Sequence, residues 1–195
     1  MRVNVVLILI ASICALTGLS HPCPRTSDRA IHNLEWGQRS EGLQMSLEAT
    51  DSNRAELQVA LRNTGDHDVT LNLGHMMANG KVQLPNNIEL NFTDPQGKSR
   101  VFGFADKNHG FVGGRLDDYV VPLRAGSMYT LKLALDQFWC PETKEFAIPL
   151  GHGASRLRAQ FQGTGARLVN LDMPAIKLMN FWLGKVQSNV LTIER

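Results

Sequence analysis

Residues 43–73, LQMSLEATDSNRAELQVALRNTGDHDVTLNL, decide the fold. Leu43, Met45, Leu47 and Ala49 alternate with Gln44, Ser46 and Glu48, the period-two pattern of a strand with one face in a core and one in water. Asp51, Ser52 and Asn53 make a turn. Leu57, Val59 and Leu61 then alternate with Glu56, Gln58 and Arg62. Asn63-Thr64-Gly65-Asp66 is a second turn, because Asn and Gly tolerate positive φ. Val69, Leu71 and Leu73 alternate with Asp68, Thr70 and Asn72. The simplest reading is a three-strand meander with its apolar side turned inward.

The same rhythm continues outward to the C-terminus. Ile88, Leu90 and Phe92 alternate with Glu89, Asn91 and Thr93. Asp94-Pro95-Gln96-Gly97 turns into a strand at Ser99–Phe104. Tyr119–Leu123, then Tyr129 to Leu135, then Arg156–Phe161 and Gln187–Ile193 complete nine expected strands separated by Gly, Pro, Asn and Asp turns. Short strands at this spacing argue for an all-β sandwich. Helical periodicity is confined to Pro174–Phe181, room for a turn or two. Two long connections break the rhythm: residues 105–117, glycine-rich with His109 and Phe111, and residues 163–183. The latter ends in an apolar run of Ile176, Leu178, Met179, Phe181, Trp182 and Leu183, which reads as core closing one end of the sandwich. Long connections in compact domains are the places where binding residues concentrate.

Upstream of Leu43 the chain reads differently. Arg2 precedes an apolar run from Val5 to Leu16, as long as a secretory signal core and too short to cross a bilayer core of roughly 30 Å. Gly18 and Ser20 are small residues suited to cleavage after Ser20. Residues 1–20 are therefore expected to be a signal peptide, 21–42 an extended N-terminal leader and 43–195 the sandwich. The expected compartment is secreted or periplasmic. No later segment is apolar for long enough to span a membrane as a helix.

Cys14 would leave with the signal, and Cys23 and Cys140 would then form the expected disulfide in an oxidising compartment. Its loop of more than 100 residues would be worth up to about 4.7 kcal/mol in the chain-entropy account. The formal net charge of +2 comes from scattered lysines and arginines. There is no basic run interleaved with aromatics, which removes nucleic acid from the partner classes.

The pieces L-R-N-T-G-D (Leu61–Asp66), P-L-R-A-G-S (Pro122–Ser127) and W-L-G-K-V-Q-S-N-V-L-T-I (Trp182–Ile193) resemble the immunoglobulin-like domains of secreted proteins, many of them bacterial. The resemblance runs from about Leu43 to the C-terminus. It implies an immunoglobulin-like β-sandwich carrying two long inserted loops, without the Cys…Trp…Cys spacing of antibody domains. Its motifs are turns and strand ends, so it implies no catalytic residue.

Candidate chemistry is sparse. GxSxG, HExxH and CxxC are absent. Gly151-His152-Gly153 lacks the third glycine and the helix of a nucleotide loop and reads as a turn. Asp117 and Asp118 would point to opposite faces of a strand, which suits turn and edge charges better than shared acid–base work. Asn91-Phe92-Thr93 satisfies the glycosylation sequon on an outward strand face. Cleavage after Ser20 would make His21 the N-terminus, whose amine and imidazole could hold copper with His75, beside Met76 and Met77, or with His109. The main expectation is a non-enzymatic binding or accessory module that meets a protein or glycan through its long loops. Phe104, Phe111 and Trp182 are the candidate anchors, since aromatics bring large contact area with few rotatable bonds. The copper site, in a metal carrier or a polysaccharide oxidase, is the alternative.

Overall fold

The structure is a computed structural model that describes residues 34–50, 56–77, 80–105, 116–167 and 180–194. The alternating sequences form strands as expected. They are β1 (Leu43–Ala49), β2 (Glu56–Asn63), β3 (Val69–Met77), β4 (Val82–Leu84), β5 (Ile88–Thr93), β6 (Ser99–Phe104), β7 (Asp117–Leu123) and β8 (Met128–Ala134). A single 3-10 turn at Leu135–Gln137 leads to β9 (Phe138–Cys140), β10 (Glu145–Phe146), β11 (Ala154–Gln162), β12 (Lys185–Gln187) and β13 (Leu191–Glu194). The chain is all-β, in antiparallel sheets of order β1-β2-β8, β4-β3-β7 and β10-β9-β6-β5-β11-β12, with β13 also on β11.

The first and last of these sheets face one another, with β1 packing against β11, β12 and β13. Between them lies one core, to which Met45, Leu57, Leu61, Leu90, Phe92 and Phe161 each contribute a side chain with essentially no exposure. Three aromatic pairs fix its packing. Phe92 meets Phe102 edge-on at 6.0 Å, Phe104 meets Phe138 edge-on at 5.6 Å, and Phe161 stacks on Trp182 at 5.6 Å. Edge-on and offset pairs are the arrangements that ring quadrupoles favour. The Tyr119 and Tyr129 hydroxyls, 2.6 Å apart, tie β7 to β8. Burial, then the hydrogen bond to Tyr129, pushes the Tyr119 phenol above its ordinary value.

The three-strand meander is corrected. β2 is flanked by β1 and β8, with Leu57 opposite Leu133 and Leu61 opposite Tyr129, while β3 pairs with β4 and β7. The cause is the turn after β2. The Asn63 carboxamide donates to the carbonyls of His67 (2.9 Å) and Leu123 (3.1 Å) and accepts the Gly65 N–H (2.9 Å). It thereby builds a wide turn that hands the chain to a neighbouring sheet instead of closing a hairpin. β3 becomes the centre of the β4-β3-β7 sheet with both of its faces covered over Val69–Gly74, and Thr70 and Asn72, expected to face water, are buried.

The last expected strand is also interrupted, at Ser188–Val190. There Asn189 leaves the sheet and its side chain accepts from Leu47 N–H (2.8 Å) and donates to Leu47 O (3.1 Å). An exposed strand edge is a template for unwanted pairing unless something covers it. Here Asn189, Gly37 (N–H to Met45 O, 2.9 Å) and Ser40 (exchanging bonds with Leu43) occupy the outer edge of β1. Residues 34–42 of the expected leader thus dock on the sandwich, with Arg62 over the Trp36 ring at 4.1 Å.

Truncation of Phe161 removes both its core contacts and its stack on Trp182. Phe161→Ala is expected to cost about 3–5 kcal/mol in urea denaturation. Asn189→Ala, which strands two backbone groups of Leu47, is expected to cost about 1–3 kcal/mol in the same assay.

Candidate functional site

The two long connections both leave from one end of the sandwich, and a buried polar cluster sits at that end. β3 carries an irregularity between Asn72, which pairs with Val120, and His75, which pairs with Asp118. Gly74 makes this possible. Its φ of 144° is open to glycine, and any side chain there would run into the backbone of Leu84 and Asn86. The kink turns the Asn72 carboxamide inward.

Asn72 is the hub. Its Nδ2 donates to Asp118 Oδ1 and to Gly165 O, both at 2.9 Å, and its Oδ1 accepts the Gly74 N–H at 3.1 Å. Its carbonyl accepts from Asn87 Nδ2 at 2.8 Å, and the same Asn87 amide reaches Thr164 Oγ1 at 3.2 Å. The Asp118 carboxylate also receives the Arg167 N–H, at 3.1 Å to each oxygen. Asn72 and Asp118 are buried, so each of these bonds replaces one that water would otherwise supply. Asp118 follows the first long connection by one residue, and Gly165 and Arg167 belong to the start of the second. One carboxamide and one carboxylate therefore tie the roots of both loops to the same point of β3.

The cluster is built for positioning. Asp118 accepts the Asn72 side-chain amide and the Arg167 N–H, and among the described residues no group of three His, Cys, Asp or Glu side chains could hold a metal. The expected edge role of Asp118 is corrected: it is 8 % exposed and acts as an internal acceptor.

Phe104 and Trp182 are 7 % and 5 % exposed. Phe104 is packed on Phe138, and Trp182 is stacked on Phe161 with its Nε1 donating to Glu41 O at 3.0 Å. Neither ring is at the surface to anchor a partner, which corrects that reading of both. For Trp182 the reading of the apolar run as core holds. Gly163 lets the indole approach, since a Cβ there would strike the Trp182 backbone and ring. Phe111, His109, His21 and Cys23 lie outside the described residues, as does Pro174–Met179 of the expected helical turn. His75 sits half-buried on β3 with its Nδ1 3.3 Å from Asn86 Oδ1.

Cys140 is a buried free thiol, and its expected partner Cys23 is among the residues outside the description. Burial pushes the thiol up. The backbone N–H and hydroxyl of Thr143, with the Glu142 N–H, outweigh that effect and hold Cys140 below its ordinary value. Asn91 lies on the outward side of β5, as expected for the sequon. Asn72 and Asn87 were not singled out in the sequence. The available signal was a polar amide between apolar neighbours, in Leu-Asn-Leu-Gly and Pro-Asn-Asn-Ile.

No protein-family model matches the chain, and no curated protein is similar to it at a significant level.

Asn72→Ala would leave the Gly165 carbonyl and Gly74 N–H without their side-chain partner and Asp118 with one donor fewer. The expected loss is about 2–4 kcal/mol in urea denaturation, with faster hydrogen exchange at the Arg167 and Gly74 amides.

Proposed function

We propose that this chain is a secreted, non-enzymatic, immunoglobulin-like binding or accessory module that presents its two long connections, 105–117 and 163–183, to a protein or glycan. The observation that carries the reading is the Asn72–Asp118 cluster, which secures both connections at a single end of the sandwich. Holding loop ends rigidly lowers the ordering entropy that a partner must overcome, which is how loop-borne binding surfaces on β-sandwiches gain affinity.

The apolar run from Val5 to Leu16 supports export, and export supports oxidation of Cys140 with Cys23 in the mature protein. With Phe104 and Trp182 committed to the core, Phe111 is the aromatic anchor that the reading retains.

Two measurements test this. Intact mass of the protein recovered from a secreting host should match cleavage after Ser20 and be two hydrogens light. A mass retaining residues 1–20 with all three thiols free would end the secreted reading. In pull-downs from the native extracellular fraction, Phe111→Ala and replacement of residues 106–115 by a short Gly-Ser linker should each lose the partners that the intact protein retains. Unchanged partners in both variants would refute loop-borne binding.

A further inference from the structure

The outward side of the seven-stranded sheet carries a row of side chains that the pairing register places side by side. Phe146 is opposite Trp139, Trp139 opposite Gly103, Gly103 opposite Glu89, Glu89 opposite Gln160, and Gln160 opposite Gln187. Directly paired residues share a face, so these groups form one strip crossing β10, β9, β6, β5, β11 and β12. Five steps between strands of about 4.8 Å make it about 24 Å long.

Its chemistry changes along its length. At one end stand two aromatics, Trp139 half-buried and Phe146 42 % exposed. Next comes a gap, because Gly103 has no side chain and the space above it is open. Beyond it runs a relay of planar polar groups. Gln160 Nε2 donates to Glu89 Oε2 (3.4 Å), Gln187 Nε2 to Gln160 Oε1 (3.0 Å), and Arg158 to Gln187 Oε1 (3.5 Å).

Two clefts open beside this relay. One, of about 380 Å³, is lined by Gln38, Arg39, Ser40, Lys185 and Gln187. The other, of about 230 Å³, is lined by Asn91, Thr93, Arg156, Leu157, Arg158 and Val190. Each holds two exposed cations among amides and hydroxyls, and neither lining includes a carboxylate. Gln187 lines the first cleft and bonds to Arg158 of the second, so the two are joined.

We propose that this strip binds an acidic polysaccharide: sugar faces on Trp139 and Phe146, hydroxyls on the Glu89–Gln160–Gln187 relay, and carboxylate or sulfate groups at the Arg39/Lys185 and Arg156/Arg158 clefts. Planar amide, carboxylate and guanidinium groups pair with adjacent hydroxyls two bonds at a time, and guanidinium pairs in the same way with carboxylate. Charge complementarity selects an anionic chain. The cations are not wholly unopposed, since Glu41 lies against Gly184 at the margin of the first cleft, Glu89 stands within the relay, and Glu194, opposite Ala154, shares the face of Arg156. The arrangement does not suit single-stranded nucleic acid, which needs aromatic platforms for successive bases beside its phosphates. Here both aromatics are at the end of the strip away from Arg39 and Lys185.

The strip is independent of the two long connections, and the test separates them. The full chain is titrated with polygalacturonate and dextran sulfate, with methyl-esterified pectin, dextran and single-stranded DNA as controls. The expected result is retention of at least one acidic polysaccharide and of neither neutral counterpart, weakening as salt rises through the range where the Debye length drops below about 10 Å. Arg39→Ala/Lys185→Ala, Arg156→Ala/Arg158→Ala and Trp139→Ala should each weaken it by about tenfold, with thermal melting unchanged for the two arginine and lysine pairs. Replacement of residues 106–115 should leave it intact. Equal binding of the neutral polymers, equal binding of DNA, or retention of no polysaccharide would overturn the proposal. So would full affinity in all three strip variants together with its loss in the 106–115 replacement, an outcome that assigns the ligand to the loops.

Discussion

The structure depends on how buried backbone is satisfied where the chain changes sheets. A strand inside a sheet has its amides and carbonyls paired by its neighbours, whereas a segment passing from one sheet to the next does not, and an unpaired buried amide or carbonyl costs about 1–3 kcal/mol. Asparagine side chains meet that requirement here. Asn63 shapes the turn into β3, Asn72 and Asn87 join β3 to the segment after β11, and Asn189 stands in for a strand beside β1. A carboxamide carries both a donor and an acceptor in one plane, so it can replace a peptide group without introducing charge.

This arrangement gives the molecule two unlike surfaces. At one end, the Asn72–Asp118 cluster secures segments that continue into the long connections. On the broad side, the seven-stranded sheet presents groups whose spacing is set by strand pairing alone. Side chains on regular strands are held by the ladder beneath them, so the relay from Glu89 to Gln187 is already aligned before any ligand arrives.

Much of the fold was legible because one face of most strands meets water. Alternation at 43–49, 57–61, 88–93 and 156–161 follows directly from that asymmetry, and the structure has strands at each. The pattern weakens where both faces are covered. β3 has Thr70 and Asn72 buried beside Leu71 and Leu73, so its polar positions suggested a solvent face that it lacks. Short strands such as β4, β9 and β10 contain too few residues to show a period at all. Phe104 and Trp182 misled for a related reason: each borders a long connection, and proximity to a loop in sequence says nothing about which side of the sheet a ring occupies. Trp139, between the buried Phe138 and Cys140, offered no cue that it faces outward.

By itself the sequence determined the all-β class, the inward residues of the main strands and the positions of most turns. These follow from backbone sterics and from the burial of one face, both of which act over a few neighbouring residues. Only the tertiary structure decided which strands pair, that β8 rather than β3 lies beside β2, and that residues from six strands line up into one strip, aromatic at one end and polar at the other. Pairing partners come from distant parts of the chain. Their choice depends on the shape of turns such as the one Asn63 builds, and on whether every buried amide finds a partner, conditions that only the assembled sheets can meet.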